Sequence, residues 1–445
     1  MPRLGVVMIM RNEAPWLPQC LESVYSIADD ILVGDTGSTD DSIAIAESYG
    51  ARVLHIPWTD DFAAARNAVL DHTAADWLFQ IDADETLDAD GAQRIREMVD
   101  ADGGGADAFE VVQANYCDSV RAWRWVASDP RDLMANGHPG YIAVPIVRLF
   151  RSGRGYEYRE PVHESLLASI EQQGGVVRRL DVTVHHYGYA ASREQQEKKA
   201  RRYLAIARVK ARTRPDDWKS WYDLAEQCVF LGEVEEGEQA ARQAVKLAPG
   251  NIDAATCLVK VLLNRGALDD AKRVLKDIDE RGDAPAHVYA TLGAIDLRQG
   301  QNDAARLQVE RALAVDEKNV IARTTYARVL DVLGDADGAA RELERVCAIA
   351  PGLEEFQQLQ EAHRLRREGE RLYRNGDVQG ALETLLKALR LNPEDPLTHN
   401  DLGVASLSIG QVQKAWECFE RALQLAPGLA EAKENVGLLW EGPAS

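Results

Sequence analysis

Glycines mark out the second half of this 445-residue chain: Gly232, Gly266, Gly300 and Gly334 follow at intervals of 34, and Gly376 and Gly410 are again 34 apart. An alanine stands five residues after most of them, at Ala271, Ala305, Ala339, Ala381 and Ala415. A fixed period of this length implies stacked units, each too small to bury its own apolar face, so neighbours share one continuous core. Small residues at recurring places let paired helices approach, and Pro249, Pro351, Pro393 and Pro427 stop the second helix of a unit. The interval from Gly334 to Gly376 is 42, so eight extra residues around Glu354 to Glu361 lengthen a helix or kink the stack there. Six units follow one another, and Ala430 to Trp440 reads as a closing helix.

The first half is patterned differently. Leu4 to Met10 is a continuous apolar run ending in Arg11-Asn12-Glu13, and Leu17, Leu21, Val24 and Tyr25 then recur on one helical face. Ile31 to Asp35 repeats the device, a short apolar strand closed by a carboxylate, followed by a helix to Tyr49 for which Ser38 or Thr39 is the expected N-cap. Arg52 to Ile56 reads as a third strand, Phe62 to Asp71 as a helix carrying Arg66, and Trp77 to Ile81 as a fourth strand. Strands alternating with helices imply a parallel sheet covered on both faces, with ligands gathering beyond the carboxyl ends of the strands. Asn12, Asp35 and Asp82 all fall there.

The fourth strand runs into Asp82-Ala-Asp84-Glu85. Two carboxylates that alternate along an extended chain point to the same side. Such a pair can hold Mg²⁺ or Mn²⁺ against the phosphates of a nucleotide. The competing use of an aspartate here is to cap the helix expected at Ala89 to Asp100.

A net charge of -21 and a pI near 4.9 argue against nucleic-acid or anionic-membrane partners, which need a basic surface. No run of eighteen apolar residues is present, so no membrane span is expected, and the short apolar stretch at the N-terminus continues directly into the patterned domain. The six cysteines lack C-x-x-C spacing and read as reduced thiols. Together these features point to a cytoplasmic protein.

The order of pieces resembles the GT-A fold of family 2 glycosyltransferases, and more closely the bacterial members that carry tetratricopeptide repeats, some of them peptide S-glycosyltransferases. The residues that carry the resemblance are Arg11-Asn12-Glu13, Gly34 to Asp40, Trp58 to Asn67 and Asp82-Ala-Asp84-Glu85, with Trp221, Leu224, Ala225, Ala244 and Pro249 marking the first repeat. The implied architecture is an α/β GT-A (Rossmann-like) nucleotide-sugar domain over 1–192, a connecting helix over 193–217, and an all-α repeat solenoid over 218–445. The implied chemistry is metal-dependent, inverting sugar transfer from a nucleotide sugar, UDP-linked, with Mn²⁺ or Mg²⁺ as cofactor.

Roles follow residue by residue from the same resemblance. Asp35 would accept the imide N–H of a uracil-like base, a donor matched to a carboxylate. Asn12 and Glu13 border the nucleotide site, Asp84 would ligate the metal, and Asp82 would hold the ribose or a metal-bound water. Arg66 lies near the nucleotide or braces these acids. After Ala108 to Tyr116, a further strand, the segment with Trp123 and Trp125 is where acceptor recognition would be built, although both tryptophans suit a core equally. Ile142 to Phe150 is another strand, and beyond it the motif with His163 and Glu164 lies on the acceptor side, Glu164 being the expected general base. His186, at the end of Val182 to His186, is the expected third metal ligand, with His185 on the opposite face of the strand.

A repeat solenoid beside a transferase site points to a peptide or protein acceptor held at high effective concentration. The same repeats also suit assembly of a homo-oligomer or bracing of the catalytic domain. Two other readings stay open at this stage: a protein-binding scaffold with a silent transferase-like domain, and a transferase of cell-surface polysaccharide assembly. A sugar-phosphate nucleotidyltransferase ranks last, because that class needs a glycine-rich loop where Arg11-Asn12-Glu13-Ala14-Pro15 stands.

Overall fold

In the computed structural model, structure is described for residues 1–117, 125–129, 131–161, 164–187, 193–282 and 284–440. The chain divides into two compact units, Met1–Ala248 and Pro249–Ser445. The cut falls one helix pair beyond residue 218.

The first unit is built on one sheet. Its strands are β1 (Leu4–Met10), β2 (Asp30–Asp35), β3 (Arg52–His55), β4 (Trp77–Gln80), β5 (Glu85–Leu87), β6 (Ala108–Tyr116), β7 (Trp125–Ala127), β8 (Gly140–Arg151) and β9 (Val177–His186). They lie in the order β3-β2-β1-β4-β8-β6-β9-β5, with β7 paired to β8. The first four are parallel, as expected, but β8 runs antiparallel to both β4 and β6, and β5 antiparallel to β9. The sheet is therefore mixed. Among the described residues no α-helix lies between β6 and β8, and the chain returns antiparallel along its neighbour.

Among the described residues five α-helices cover the two faces: α1 (Leu17–Tyr25), α2 (Ser42–Ser48), α3 (Phe62–Leu70), α4 (Ala89–Asp100) and α5 (Leu167–Gln172). Alternate residues of β1 serve opposite layers. Leu4, Val6, Met8 and Met10 pack with Leu17, Leu21, Ile95 and Val99 of α1 and α4, while Val7 and Ile9 pack with Ala65 and Val69 of α3 and Ile170 of α5. Burial on both sides explains why the strand reads as an unbroken apolar run.

Three helices complete this unit: α6 (Arg193–Thr213), α7 (Trp218–Leu231) and α8 (Val234–Leu247). Helix α6 packs on the loop before α3 through a cation–π contact of Arg202 with Trp58, and on the first residue of α3 through an edge contact of Tyr203 with Phe62.

The second unit continues the helix pairs: α9 (Ile252–Asn264) with α10 (Leu268–Asp279), α11 (Ala286–Arg298) with α12 (Asn302–Val315), α13 (Val320–Val332) with α14 (Ala336–Ile349), α15 (Glu354–Arg374) with α16 (Val378–Leu391), and α17 (Pro396–Ser408) with α18 (Val412–Leu425), closed by α19 (Ala430–Trp440). The period now has a cause. The recurring glycines all adopt positive φ at the end of the first helix of a pair, from +74° at Gly300 to +85° at Gly334 and Gly376, a conformation that costs glycine nothing. The recurring alanines are fully buried where the second helix meets the first. The eight extra residues lengthen α15 to 21 residues, against 13 in α13.

Candidate active site

The loop after β1 is latched to the loop after β2. Asn12 N donates to Ser38 Oγ at 3.0 Å, Thr39 N donates to Asn12 Oδ1 at 2.7 Å, and Glu13 N donates to Ser42 Oγ at 2.8 Å. Asn12 holds a φ of +58°, which asparagine tolerates better than most residues. Ser38 and Thr39 are thus occupied by Asn12, and α2 starts later than expected, at Ser42 with Asp41 in the N-cap position. Asp35, 3% exposed, accepts from Gly37 N at 3.1 Å and Ser38 N at 3.0 Å, and His55 lies 3.7 Å from its carboxylate. A carboxylate has about four acceptor sites, so this turn leaves capacity for one further donor.

The acidic segment is not extended. β4 stops at Gln80 and β5 starts at Glu85, so Asp82, Ala83 and Asp84 sit in a turn, and the two aspartates find different partners. Asp82 accepts from Arg66 Nη2 at 2.8 Å and Gln80 Nε2 at 2.9 Å, and Arg148 lies 3.6 Å from its other oxygen. Burial opposes its charge, yet the two guanidinium groups prevail and hold its carboxyl well below the usual carboxylate range. Arg66, itself buried, turns its Nε to Glu164 Oε1 at 2.7 Å. One arginine therefore joins the aspartate after β4 to the expected general base.

Beneath this turn lies a second buried arginine. Arg148 of β8 donates from Nη2 to Glu85 Oε1 at 2.6 Å and from Nη1 to Gln80 Oε1, while Glu85 Oε2 accepts from Asp82 N at 2.8 Å. Arg148 and Glu85 are 1% and 0% exposed. Sequence reasoning gave Arg148 no role. Its signal was an arginine inside the apolar run from Ile146 to Phe150, a place that demands a carboxylate partner.

Asp84 turns instead to His186, whose Nε2 lies 3.2 Å from Asp84 Oδ2. The other ring nitrogen, Nδ1, is 2.6 Å from Asn115 Oδ1, and the Asn115 amide nitrogen faces Gln113 Oε1 and Ile142 O. With Asn115 so oriented its Oδ1 accepts a hydrogen bond from Nδ1–H, and a neutral ring then presents the Nε2 lone pair to a carboxylate. That pairing needs a cation, either a proton on Nε2 or a metal ion. The Asp84 and Glu85 carboxylates overcome burial and raise the affinity of His186 for a proton. Asp84 and His186 are the side chains that would hold such an ion here. Asp82, expected as a ligand of the same ion, is engaged by arginines instead. Among the described residues, no group of three His, Cys, Asp or Glu side chains stands ready to hold a metal. Mg²⁺ is commonly held by one or two carboxylates and completed by substrate phosphates, and of the Asp84–His186 pair Asp84 is the carboxylate.

His185 faces the other way, 2.8 Å from the Tyr116 hydroxyl, in an aromatic stack that continues through Tyr187 to Trp16. Trp125 is half-buried in β7, close against Gly140, with its Nε1 donating to Cys117 O at 3.4 Å, so strand packing uses it. Trp123 and His163 lie outside the described residues.

The family model described as Glycosyl transferase family 2 matches residues 5–154, and two described as Tetratricopeptide repeat match 178–349 and 366–430. The chain carries a family 2 glycosyltransferase domain followed by tetratricopeptide repeats. Asn12, Glu13, Asp35, Arg66, Asp82 and Asp84 lie inside the matched transferase span, and Glu164 and His186 lie beyond it. Over 435 residues the glycosyltransferase is 28% identical to a TPR repeat-containing protein of Synechococcus elongatus, covering 95% of this chain and 92% of that one. It is 22% identical to the SPbeta prophage-derived glycosyltransferase SunS of Bacillus subtilis, over 78% of this chain and 80% of that one. It is 30% identical to the lipopolysaccharide core biosynthesis glycosyltransferase LpsC of Rhizobium meliloti, over 37% of this chain and 57% of that one. No helix among the described residues is long and apolar enough to cross a membrane.

Proposed function

We propose that this glycosyltransferase moves a sugar from a UDP-linked donor to a polypeptide with inversion at the anomeric carbon, and that Asp84 and His186 hold a Mn²⁺ or Mg²⁺ ion. The observation that carries the reading is the Asp84–His186 pair, its tautomer set by Asn115, beside the Asp82–Arg66–Glu164 bridge. When bound, the ion supplies charge stabilisation to the departing diphosphate. The remaining work falls to side chains. Asp35 accepts the imide N–H of the base, and Asn12 and Glu13 shape the edge of that site. Glu164, with Oε1 held by Arg66, takes on Oε2 the proton of the acceptor hydroxyl or thiol as that atom bonds to the anomeric carbon. The pair of electrons of the broken glycosyl–phosphate bond leaves with the nucleoside diphosphate.

A polypeptide acceptor is supported by the repeats, whose C-terminal unit contains a polar cavity of ≈ 1410 Å³ lined by Asp331, His363, Arg366, Asn400, Asp401 and Asn435. The likeness to LpsC supports a second reading, transfer to a glycan of the cell surface. Calorimetry with UDP, dTDP and GDP, each with and without Mn²⁺, tests the donor site. UDP should bind only with metal, and Asp84→Asn should abolish that metal-dependent binding. Equal binding of all three without metal would refute the reading.

A further inference from the structure

The segment that delivers Glu164 is closed at its base. Arg159 and Ser165 exchange backbone hydrogen bonds, at 3.2 and 3.1 Å, so Glu160 and Glu164 are the first and last residues inside the closure. Glu160 has a φ of +82°, left-handed backbone that a glutamate adopts only when its surroundings impose it. Those surroundings come from α6. Lys210 Nζ lies 2.7 Å from Glu160 Oε2 and 2.8 Å from Asp223 Oδ2 of α7, and Arg214 Nη1 lies 2.5 Å from Glu160 Oε1.

Lys210 is 3% exposed, unusual for lysine unless it is paired. Burial works against its charge, but Asp223 and Glu160 outweigh that and keep it protonated. Lys210 and Asp223 are buried and Arg214 is about half exposed, so removal of Lys210 strands the Asp223 carboxylate and leaves Glu160 with a cation at the surface. The next residue of the loop is also tied down, since Phe62 N, at the start of the helix that carries Arg66, donates to Pro161 O at 3.1 Å.

We propose that Lys210 and Glu160 form a latch by which α6 positions Glu164 against Arg66 for proton transfer, making α6 part of the catalytic apparatus rather than a spacer between domains. The proposal rests on the reading of Glu164 as general base. Lys210 touches no substrate in this scheme, and it acts through Glu160 as a positioning residue. Tyr203, one face of α6 nearer its start, agrees with the placement: burial and the nearby Glu164, Asp82 and Asp84 carboxylates push its hydroxyl up to about 12.

Two full-length variants test the latch, Lys210→Met and, should that chain fail to fold, Glu160→Gln, which preserves shape. Backbone amide exchange at Arg159 and Ser165, whose N–H groups close the loop, should quicken by about tenfold, while β1 and β4 exchange as in the parent. Loop amides as protected as in the parent, or loosening confined to α7, would overturn the latch. With Mn²⁺ present, and with UDP-glucose and UDP-N-acetylglucosamine as probes, the kcat for donor hydrolysis should fall by about tenfold with KM held within about twofold. A fall in affinity with kcat preserved would also overturn it. Should the parent chain turn over neither probe, the donor assignment fails, while the exchange measurement still decides the latch.

Discussion

Arg148 shows how a single buried charge can support a site that it does not enter. It pairs with Glu85, whose other oxygen holds the backbone of Asp82, so the acidic turn stands on this arginine. Arg148→Met leaves Glu85 as an uncompensated charge in a closed interior, and we expect a loss of about 3–5 kcal/mol in urea unfolding. Adding Glu85→Gln should recover part of it. Asp401 in the repeats makes the opposite case. Burial pushes its carboxyl up to about 7 despite Arg366 at 3.6 Å, with Glu370, Asp395 and Glu431 adding to the rise. The unfolded chain ionises this group near pH 4 while the folded one keeps the proton, so its contribution to stability is complete below pH 4 and is lost as pH rises toward 7. Asp401→Asn should therefore raise the melting temperature at pH 8 and change it little at pH 4.5. A gain of equal size at both values would show that the carboxyl does not titrate in this window.

At the scale of elements, the repeat helices meet through positions where nothing larger than hydrogen fits. A Cβ at Gly403 of α17 would come within 2.4 Å of the Phe419 ring of α18. Gly403→Ala should cost about 1–3 kcal/mol by overpacking. Gly437 of α19 meets nothing within 4 Å, and there the same change should be neutral or stabilising, by up to about 1 kcal/mol. Thermal melting of the two variants checks the contrast. Strands obey the same logic of local fit, since the alternation of β1 between two layers needs only a sheet covered on both faces. Direction along the sheet is another matter: the pattern of apolar residues is identical for either direction, so Ile142 to Phe150 reads as a strand without revealing that β8 runs antiparallel to β4 and β6.

For the whole molecule, α6, α7 and α8 belong with the sheet. A chain ended after Asp217 lacks Asp223 and leaves Lys210 with Glu160 and a newly exposed surface, whereas a chain ended after Ala248 keeps the pair. The shorter chain should melt at least about 5 °C lower, corresponding to about 2 kcal/mol in a domain of this size. Equal melting would place the first helix pair outside the fold of the sheet. The sequence by itself determined the classes of structure and the positions of the acids. Helix pairs repeat every 34 residues because the glycine turns and alanine contacts are local. Asp35 and Asp82 follow strands because an apolar run and its end are neighbours in the chain. Only the tertiary structure decided which charge meets which. Arg66 and Glu164 are 98 residues apart, Asp84 and His186 are 102 apart, and the turn at Ala83 sends two aspartates of one motif to different partners. Such pairings depend on strand order and on how far each loop reaches. Neither quantity is written in the spacing of residues along one segment, because a carboxylate pairs with whichever cation the packing brings to it.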